Sequence, residues 1–305
     1  MGIKAETSLV AIGYRYFVAV AESGSVRAAS RSLNVAASAI SRQLLQLEDT
    51  LGVALFDRTG RGLTLSPAGE ILLRGLRAAA RGHEQTLDEL SALKGLKRGR
   101  LRLATVESIS VSILPDMLLA FSRMHPGIEV SVTVTVSETV TTMVRDHEAD
   151  LGFTFNPVSL EGFETVAARD LHLGAIMASS HPLVGMARLS LTECLAYPVA
   201  WPSAGLSLRT ILDSVPASRR VRPAFECNSL RLMASLARRG SCIAFQTPIG
   251  IEQDLAAGTL VWIPLTDKRL PLDRFKVVRR QDARGRPAVD AFIAVIGERL
   301  PSHPV

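Results

Sequence analysis

Apolar residues recur at helical spacing through the front third of the chain and at strand spacing through much of the rest. Val10, Tyr14, Phe17, Val18 and Ala21 share one face of a helix predicted over Leu9–Glu22, which Ser23 and Gly24 terminate. Ser25 is placed to cap a second helix running to Leu33, where the small Ala28 and Ala29 permit a close helix crossing, and Asn34 suits the turn after it. A third helix is predicted from Ala37 to Thr50. It turns Ile40, Leu44 and Leu47 inward and Ser38, Ser41, Arg42 and Gln46 outward, and Gly52 closes it.

Two short helices joined by a tight turn, the second offering Ser, Arg and Gln near its start, form a helix-turn-helix with a recognition helix. Arg can bond guanine with two N–H groups and Gln can pair with adenine in the major groove. Leu55–Arg58 and Gly62–Leu65 then read as two short strands around Thr59-Gly60-Arg61, a basic hairpin suited to phosphates or a minor groove. Ser66-Pro67-Ala68-Gly69-Glu70 starts a long helix, with a Ser cap, Pro at the first helical position and an acid in the first turn. That helix extends to about Leu93. Leu73, Ala80 and Leu87 recur every seven residues, as do Leu76, His83 and Leu90, a seam that implies pairing with a second helix.

Beyond the Gly- and Lys/Arg-rich stretch Lys94–Arg100 the pattern changes. Strands are predicted at Leu101–Thr105, Ile128–Val136 and Ala149–Phe155, separated by a helix over Ile109–His125, interrupted early by Pro115, and one over Thr139–His147. That alternation predicts a parallel, doubly wound sheet. It repeats as strands near His172–Met177, Arg222–Cys227 and Cys242–Phe245 with helices from Ser207 and over Ser229–Arg239. Pro271–Arg279 is expected to return as a strand and Val289–Leu300 as a last helix, completing the first lobe.

Charge sharpens this division. Residues 1–100 hold 14 Lys+Arg against 9 Asp+Glu, a net +5, whereas residues 101–305 hold 21 against 20, a net +1. A basic front module suits a polyanion, because Lys and Arg release the counterions condensed on nucleic acid. No run approaches the roughly 20 apolar residues of a membrane span, and the first residues lack an apolar core ahead of a small-residue cleavage site, so a cytoplasmic protein is expected. Cys194, Cys227 and Cys242 are odd in number and widely spaced, which suits small core side chains; a redox switch through Cys227 and Cys242 is the alternative. The chain has no GxGxxG after a strand, Walker loop, HExxH, GxSxG or paired-Cys motif, so no enzyme, metal site or cofactor is expected.

The segments Tyr16–Ser25, Ala28-Ala29, Ala39–Leu44, Leu47-Glu48, Leu51–Arg58 and Leu63–Glu70, at fixed spacing over residues 13–70, resemble the N-terminal signature of LysR-type transcriptional regulators. The remainder is similar in layout, through Gly99–Leu103, Leu114-Pro115, His125-Pro126 and Ala149–Gly152. The resemblance implies a winged helix-turn-helix (residues 1–65), a linker and dimerisation helix with its hinge (66–98), and a two-lobed α/β effector domain like a periplasmic binding protein (99–305). Lobe I is then about 99–168 with 270–305, and lobe II about 169–269. It also implies a homodimer through the linker helix and a tetramer on double-stranded DNA. The implied DNA-contacting residues are Ala37, Ser38, Ser41 and Arg42 of the recognition helix, with Arg31 and the wing residues Arg58 and Arg61. Many members carry Ser then Gln where this chain has Ala36 and Ala37, so a helix cap and one polar contact are missing.

The implied effector positions are Glu107, Ser108 and Ile109, Ser137 and Glu138, Pro202, Ser203 and Ala204, and Gln246 and Thr247. Helix N-termini at Ser108 and near Ser203–Gly205 would suit a carboxylate, and Glu107 and Glu138, if they faced the cleft, an amine on the same molecule. The expectation is therefore a DNA-binding regulator modulated by a small molecule. A solute-binding protein without a regulatory role is the alternative, which the basic front module opposes.

Overall fold

A computed structural model describes residues 12–59, 62–92, 99–268, 270–283 and 285–300. The chain divides into two compact units, Met1–Leu87 and Asp88–Val305.

The first unit packs three helices, α1 (Ile12–Ser23), α2 (Val26–Leu33) and α3 (Ala37–Leu51), against a hairpin of β1 (Phe56–Thr59) and β2 (Gly62–Leu65) and the start of α4 (Pro67–Ala92). Phe17, Val20, Ala29, Ile40 and Leu55 are fully buried at its centre. Ser25 caps α2 by accepting from Ala28 N at 3.2 Å, and Asn34 ends it in the left-handed region (φ 54°). The Glu48 carboxylate ties α3 to the hairpin, accepting from the backbone N–H of Leu55 (2.7 Å) and Phe56 (3.3 Å). Ser66 Oγ accepts from Gly69 N at 3.1 Å and donates to the Ala54 carbonyl at 2.7 Å. Gly69 is obligatory for this approach, since a Cβ there would lie 2.2 Å from the Leu55 carbonyl oxygen. Ala68, Leu72, Leu73 and Leu76 of α4 join the same core, so the front of the heptad seam packs on its own unit. Farther along, Leu87 and Leu90 are exposed.

The second unit has two lobes. Lobe I is built on β3 (Gly99–Thr105), α5 (Glu107–Val111), α6 (Ile113–Met124), β4 (Ile128–Val134), α7 (Ser137–Arg145), β5 (Leu151–Phe155) and β6 (Phe163–Leu171). Lobe II carries β7 (Gly174–Ala178), α8 (Leu191–Cys194), β8 (Ala200–Pro202), α9 (Ser207–Asp213), β9 (Phe225–Cys227), α10 (Leu230–Arg238), β10 (Ala244–Gln246), α11 (Glu252–Ala256) and β11 (Leu260–Pro264). The chain then returns to lobe I as β12 (Asp273–Arg280) and α12 (Pro287–Arg299).

Lobe I's sheet has the order β4-β3-β5-β12-β6. β3 runs parallel to β4 and β5, but β12 is antiparallel to β5 and β6, so the sheet is mixed where an all-parallel one is predicted. The cause is the returning strand, which enters from lobe II in the opposite direction. β6, with its alternating burial, has no counterpart in the sequence reading and carries lobe I past residue 168. The helix expected over Ile109–His125 is two helices. The break falls at Ser112 (φ −111°, ψ −92°), and Pro115 sits in the first turn of α6, where its missing N–H has no helical partner to lose. Lobe II pairs β7 antiparallel with β10 and β11, and β8 parallel with β9. β11 and the short α8, β8 and α11 are likewise absent from the sequence reading. Asp150 and Arg286 form a buried ion pair in lobe I, and Asp150 Oδ2 also accepts from Arg102 N at 2.8 Å. Among the described residues no helix is long and apolar enough to cross a membrane.

Candidate DNA-reading face and ligand cavity

In the first unit, Ile40, Leu44 and Leu47 bury one side of α3 at helical spacing, which fixes what the other side displays. Ser38 and Arg42 are exposed, and Ala37 and Ser41 are half-buried, a strip over the first turn and a half of the helix. Arg31 is exposed in the last turn of α2. Among the described residues neither Arg31 nor Arg42 has a hydrogen-bond or ion-pair partner. Their guanidinium groups are therefore unspent. Ala36 occupies the N-cap of α3 and makes no side-chain cap bond. Arg58 lies on β1 opposite Leu63; its side chain, and Arg61 altogether, fall outside the described residues.

In the second unit a cavity of about 310 Å³ lies between the lobes. Lobe I contributes Val106, Glu107, Ser108, Val134–Ser137, Phe155 and Asp273, and lobe II contributes Leu206–Leu208, Asn228–Leu230, Gln246 and Thr247. Of the sequence-derived effector positions, Glu107, Ser108, Ser137, Gln246 and Thr247 reach its wall and the rest do not. Ile109 is fully buried in the lobe I core, because α5 turns its apolar side to the sheet. Glu138 is exposed in the first turn of α7, outside the lining residues. Pro202, Ser203 and Ala204 also lie outside the lining, since the chain runs on from β8 through a turn and enters the wall only at Leu206.

Glu107 does not present a free acid. Its Oε1 accepts from Ser229 Oγ at 2.9 Å and its Oε2 from the backbone N–H of Leu230 (2.7 Å) and Arg231 (3.4 Å). A lobe I carboxylate thus occupies the N-terminus of α10 in lobe II, satisfying first-turn donors and opposing the helix dipole.

Asp273, which sequence reasoning missed, is 2% exposed at the start of β12. Asn156 Nδ2 donates to its Oδ1 at 2.7 Å, and Asn156 Oδ1 accepts in turn from Arg274 N at 3.0 Å. Burial pushes the Asp273 carboxyl up to about 7, against the opposing pull of the Asn156 bond. A signal was present: Asp273, Phe275 and Val277 alternate on one strand face, which puts an acid where the apolar positions go. Asn228 and Ser229 were also missed as wall residues, although Ser229 was placed at the helix start it caps.

The three thiols are free. Burial first, then the nearby Asp267 and Glu193 charges, push Cys194 up to about 12, and burial pushes Cys242 up to about 11; burial raises Cys227 as well. All three shifts disfavour the thiolate that redox chemistry needs.

Comparison with known proteins assigns both units. Residues 13–70 match the bacterial regulatory helix-turn-helix protein of the lysR family, and residues 94–301 match the LysR substrate binding domain. The chain belongs to the LysR family. Like other LysR-type proteins it is a DNA-binding transcription regulator with an effector-binding domain, which sets aside the reading as a solute-binding protein alone. The RuBisCO operon transcriptional regulator of Allochromatium vinosum is 27% identical over 283 residues, covering 91% of this chain and 92% of that one. The HTH-type transcriptional regulator CbbR of Sinorhizobium medicae is 29% identical over 280 residues, covering 90% and 88%. Among solved structures, a full-length OxyR variant from Pseudomonas aeruginosa superposes with a TM-score of 0.67 at 19% identity, covering 93% of each chain. Full-length CbnR in complex with its target DNA gives 0.62 at 21%, covering 94% of this chain and 98% of that one. These two structures support the LysR fold.

Proposed function

We propose that this LysR-type chain is a non-enzymatic cytoplasmic regulator that reads an operator through α3, pairs through α4 and assembles as a tetramer on DNA. A small molecule taken into the cavity between the lobes biases that assembly. The observation that carries the reading is the exposed strip Ser38, Ser41 and Arg42 over a buried Ile40-Leu44-Leu47 face, with Arg31 and Arg42 unspent. Arg42 acts as the base-reading donor and Arg31, with the wing, as phosphate contacts. The exposed Leu87 and Leu90 supply an apolar seam for a second α4. An effector acts by binding one shape of the assembly better than another, since equal affinity for both would shift nothing.

The test is fluorescence anisotropy of the full chain on its own upstream DNA, with excess nonspecific competitor, at two salt concentrations. Arg42→Ala should weaken specific binding by about 1–3 kcal/mol and relax sequence preference at the contacted position, while keeping nonspecific affinity. Unchanged sequence preference in that variant would remove α3 from base reading.

A further inference from the structure

The cavity between the lobes carries an electrostatic bias that decides what it can hold. Among the described residues no Lys, Arg or His lines it, while two carboxyl-bearing residues, Glu107 and Asp273, do. A carboxylate ligand would look first for the N-terminus of α10, and that position is filled by Glu107 through Ser229 Oγ, Leu230 N and Arg231 N. The remaining wall sets acceptors beside the uncapped first turns of α7 and α9. Gln246 is 2% exposed and its Oε1 has no partner. Asp273 uses one oxygen on Asn156, and nothing among the described residues bonds the other. Arg169 and Arg274, the cations on the strand positions around Asp273, are not part of the wall. Apolar Val106, Val134, Phe155, Leu206 and Leu230 complete the enclosure.

From this arrangement we infer that the effector is a small organic cation, an ammonium or guanidinium on a short apolar body, with its N–H donors directed to the unbonded oxygen of Asp273. The inference rests on the reading of the cavity as the effector site and specifies its ligand class. A buried acceptor is costly while unmatched, and a donor-bearing cation satisfies Asp273, where a carboxylate would add a negative group beside it with only the uncapped first turns of α7 and α9, and no cationic side chain, to offset it. An ammonium beside Asp273 would also stabilise the ionised form that burial disfavours. A small-molecule site typically encloses roughly 300–1,000 Å³, so this one, at its lower end, takes a compact molecule.

The test is a thermal-shift and calorimetric survey of the full chain at about pH 8 with three sets of compounds matched in carbon skeleton: alkylamines and alkylguanidines, alkanoates, and alkanols. Hits should concentrate in the cationic set. The best cation should bind at least about tenfold more weakly to Asp273→Asn, while the matched alkanol binds that variant no more weakly than it binds the parent. Hits concentrated among the alkanoates or the alkanols, or cation binding indifferent to Asp273→Asn, would overturn the ligand class while leaving a small-molecule site in place. No binding in any set would overturn the ligand class together with the effector reading beneath it.

Discussion

The helix-turn-helix unit and the lobed unit keep their polar chemistry in opposite places. In the first, Ser38 and Arg42 stand in solvent, and among its described residues Ser66 is the one buried polar side chain, matched as the α4 cap. In the second, Ser108, Gln246, Thr247 and Asp273 are all buried at the cavity, and Asp150 and Arg286 form a buried pair elsewhere. Solvated groups cost little to display, whereas buried ones cost free energy unless matched. The first unit's stability therefore resides in apolar residues that its chemistry does not touch, while the second holds its candidate ligand groups at the expense of stability. Substitutions should separate these two regimes.

The largest effect is expected at Phe17, fully buried with its ring 5.4 Å from that of Phe56. Phe17→Ala should destabilise the first unit by about 3–5 kcal/mol, through lost burial and the cavity left behind. Calorimetry of the full chain should then show that unit's transition lowered, with specific DNA binding lost and the transition of the lobed unit in place. If both transitions move together, the two units do not hold their stability separately and the contrast fails.

Asp273 gives the opposite sign. Its carboxyl rises from an ordinary 3.8 to about 7 in the folded chain, so between those values the folded state binds a proton that the unfolded state has lost. Stability is therefore greatest below the lower value and declines as pH rises to about 7. Asp273→Asn removes that decline and keeps an oxygen for Asn156 Nδ2. It should stabilise the lobed unit by about 1–3 kcal/mol at about pH 8, with the gain vanishing at about pH 4. Urea melts across that range would check it; a variant less stable than the parent at the higher pH would mean that Asp273 contributes to the fold.

The same contrast explains what the sequence could and could not disclose. The helices of the first unit are legible in the sequence, because a helix's periodicity, its Ser cap and its terminating Gly are local signals, and the candidate DNA-reading strip follows once Ile40, Leu44 and Leu47 face inward. The cavity is assembled from segments more than a hundred residues apart. The strand return over Pro271–Arg279 is legible as an element, but no local pattern encodes which side chains meet, Glu107 with Ser229 and Leu230 across the lobes and Asn156 with Asp273 at β12. The positions carried from the family reached the wall where the backbone path alone decides, at Glu107, Ser108, Ser137, Gln246 and Thr247. They missed where a turn or a helix face decides, at Ile109, Glu138 and Pro202–Ala204. β6 escaped because its alternation, with half-exposed Glu164 and Arg169, reads as an ordinary polar loop until β12 is set beside it.

The smallest effect tests whether the candidate reading face itself carries spare stability. Ala36 holds the N-cap of α3 at φ −57° and ψ 132°, and its carbonyl accepts from Ala39 N and Ile40 N, but it offers no side-chain oxygen to the first-turn N–H groups. Ala36→Ser supplies one and should stabilise the first unit by about 0.5–1 kcal/mol in a urea melt. The hydroxyl can bond the helix or the DNA, and the two uses leave different traces. Used as a cap, it raises stability and leaves specific affinity close to the parent's; turned to a phosphate, it raises affinity and leaves the melt unmoved. The capped outcome would mean that this unit forgoes stability at its candidate reading face without any ligand group requiring it, whereas at Asp273 the loss of stability accompanies the candidate ligand group itself.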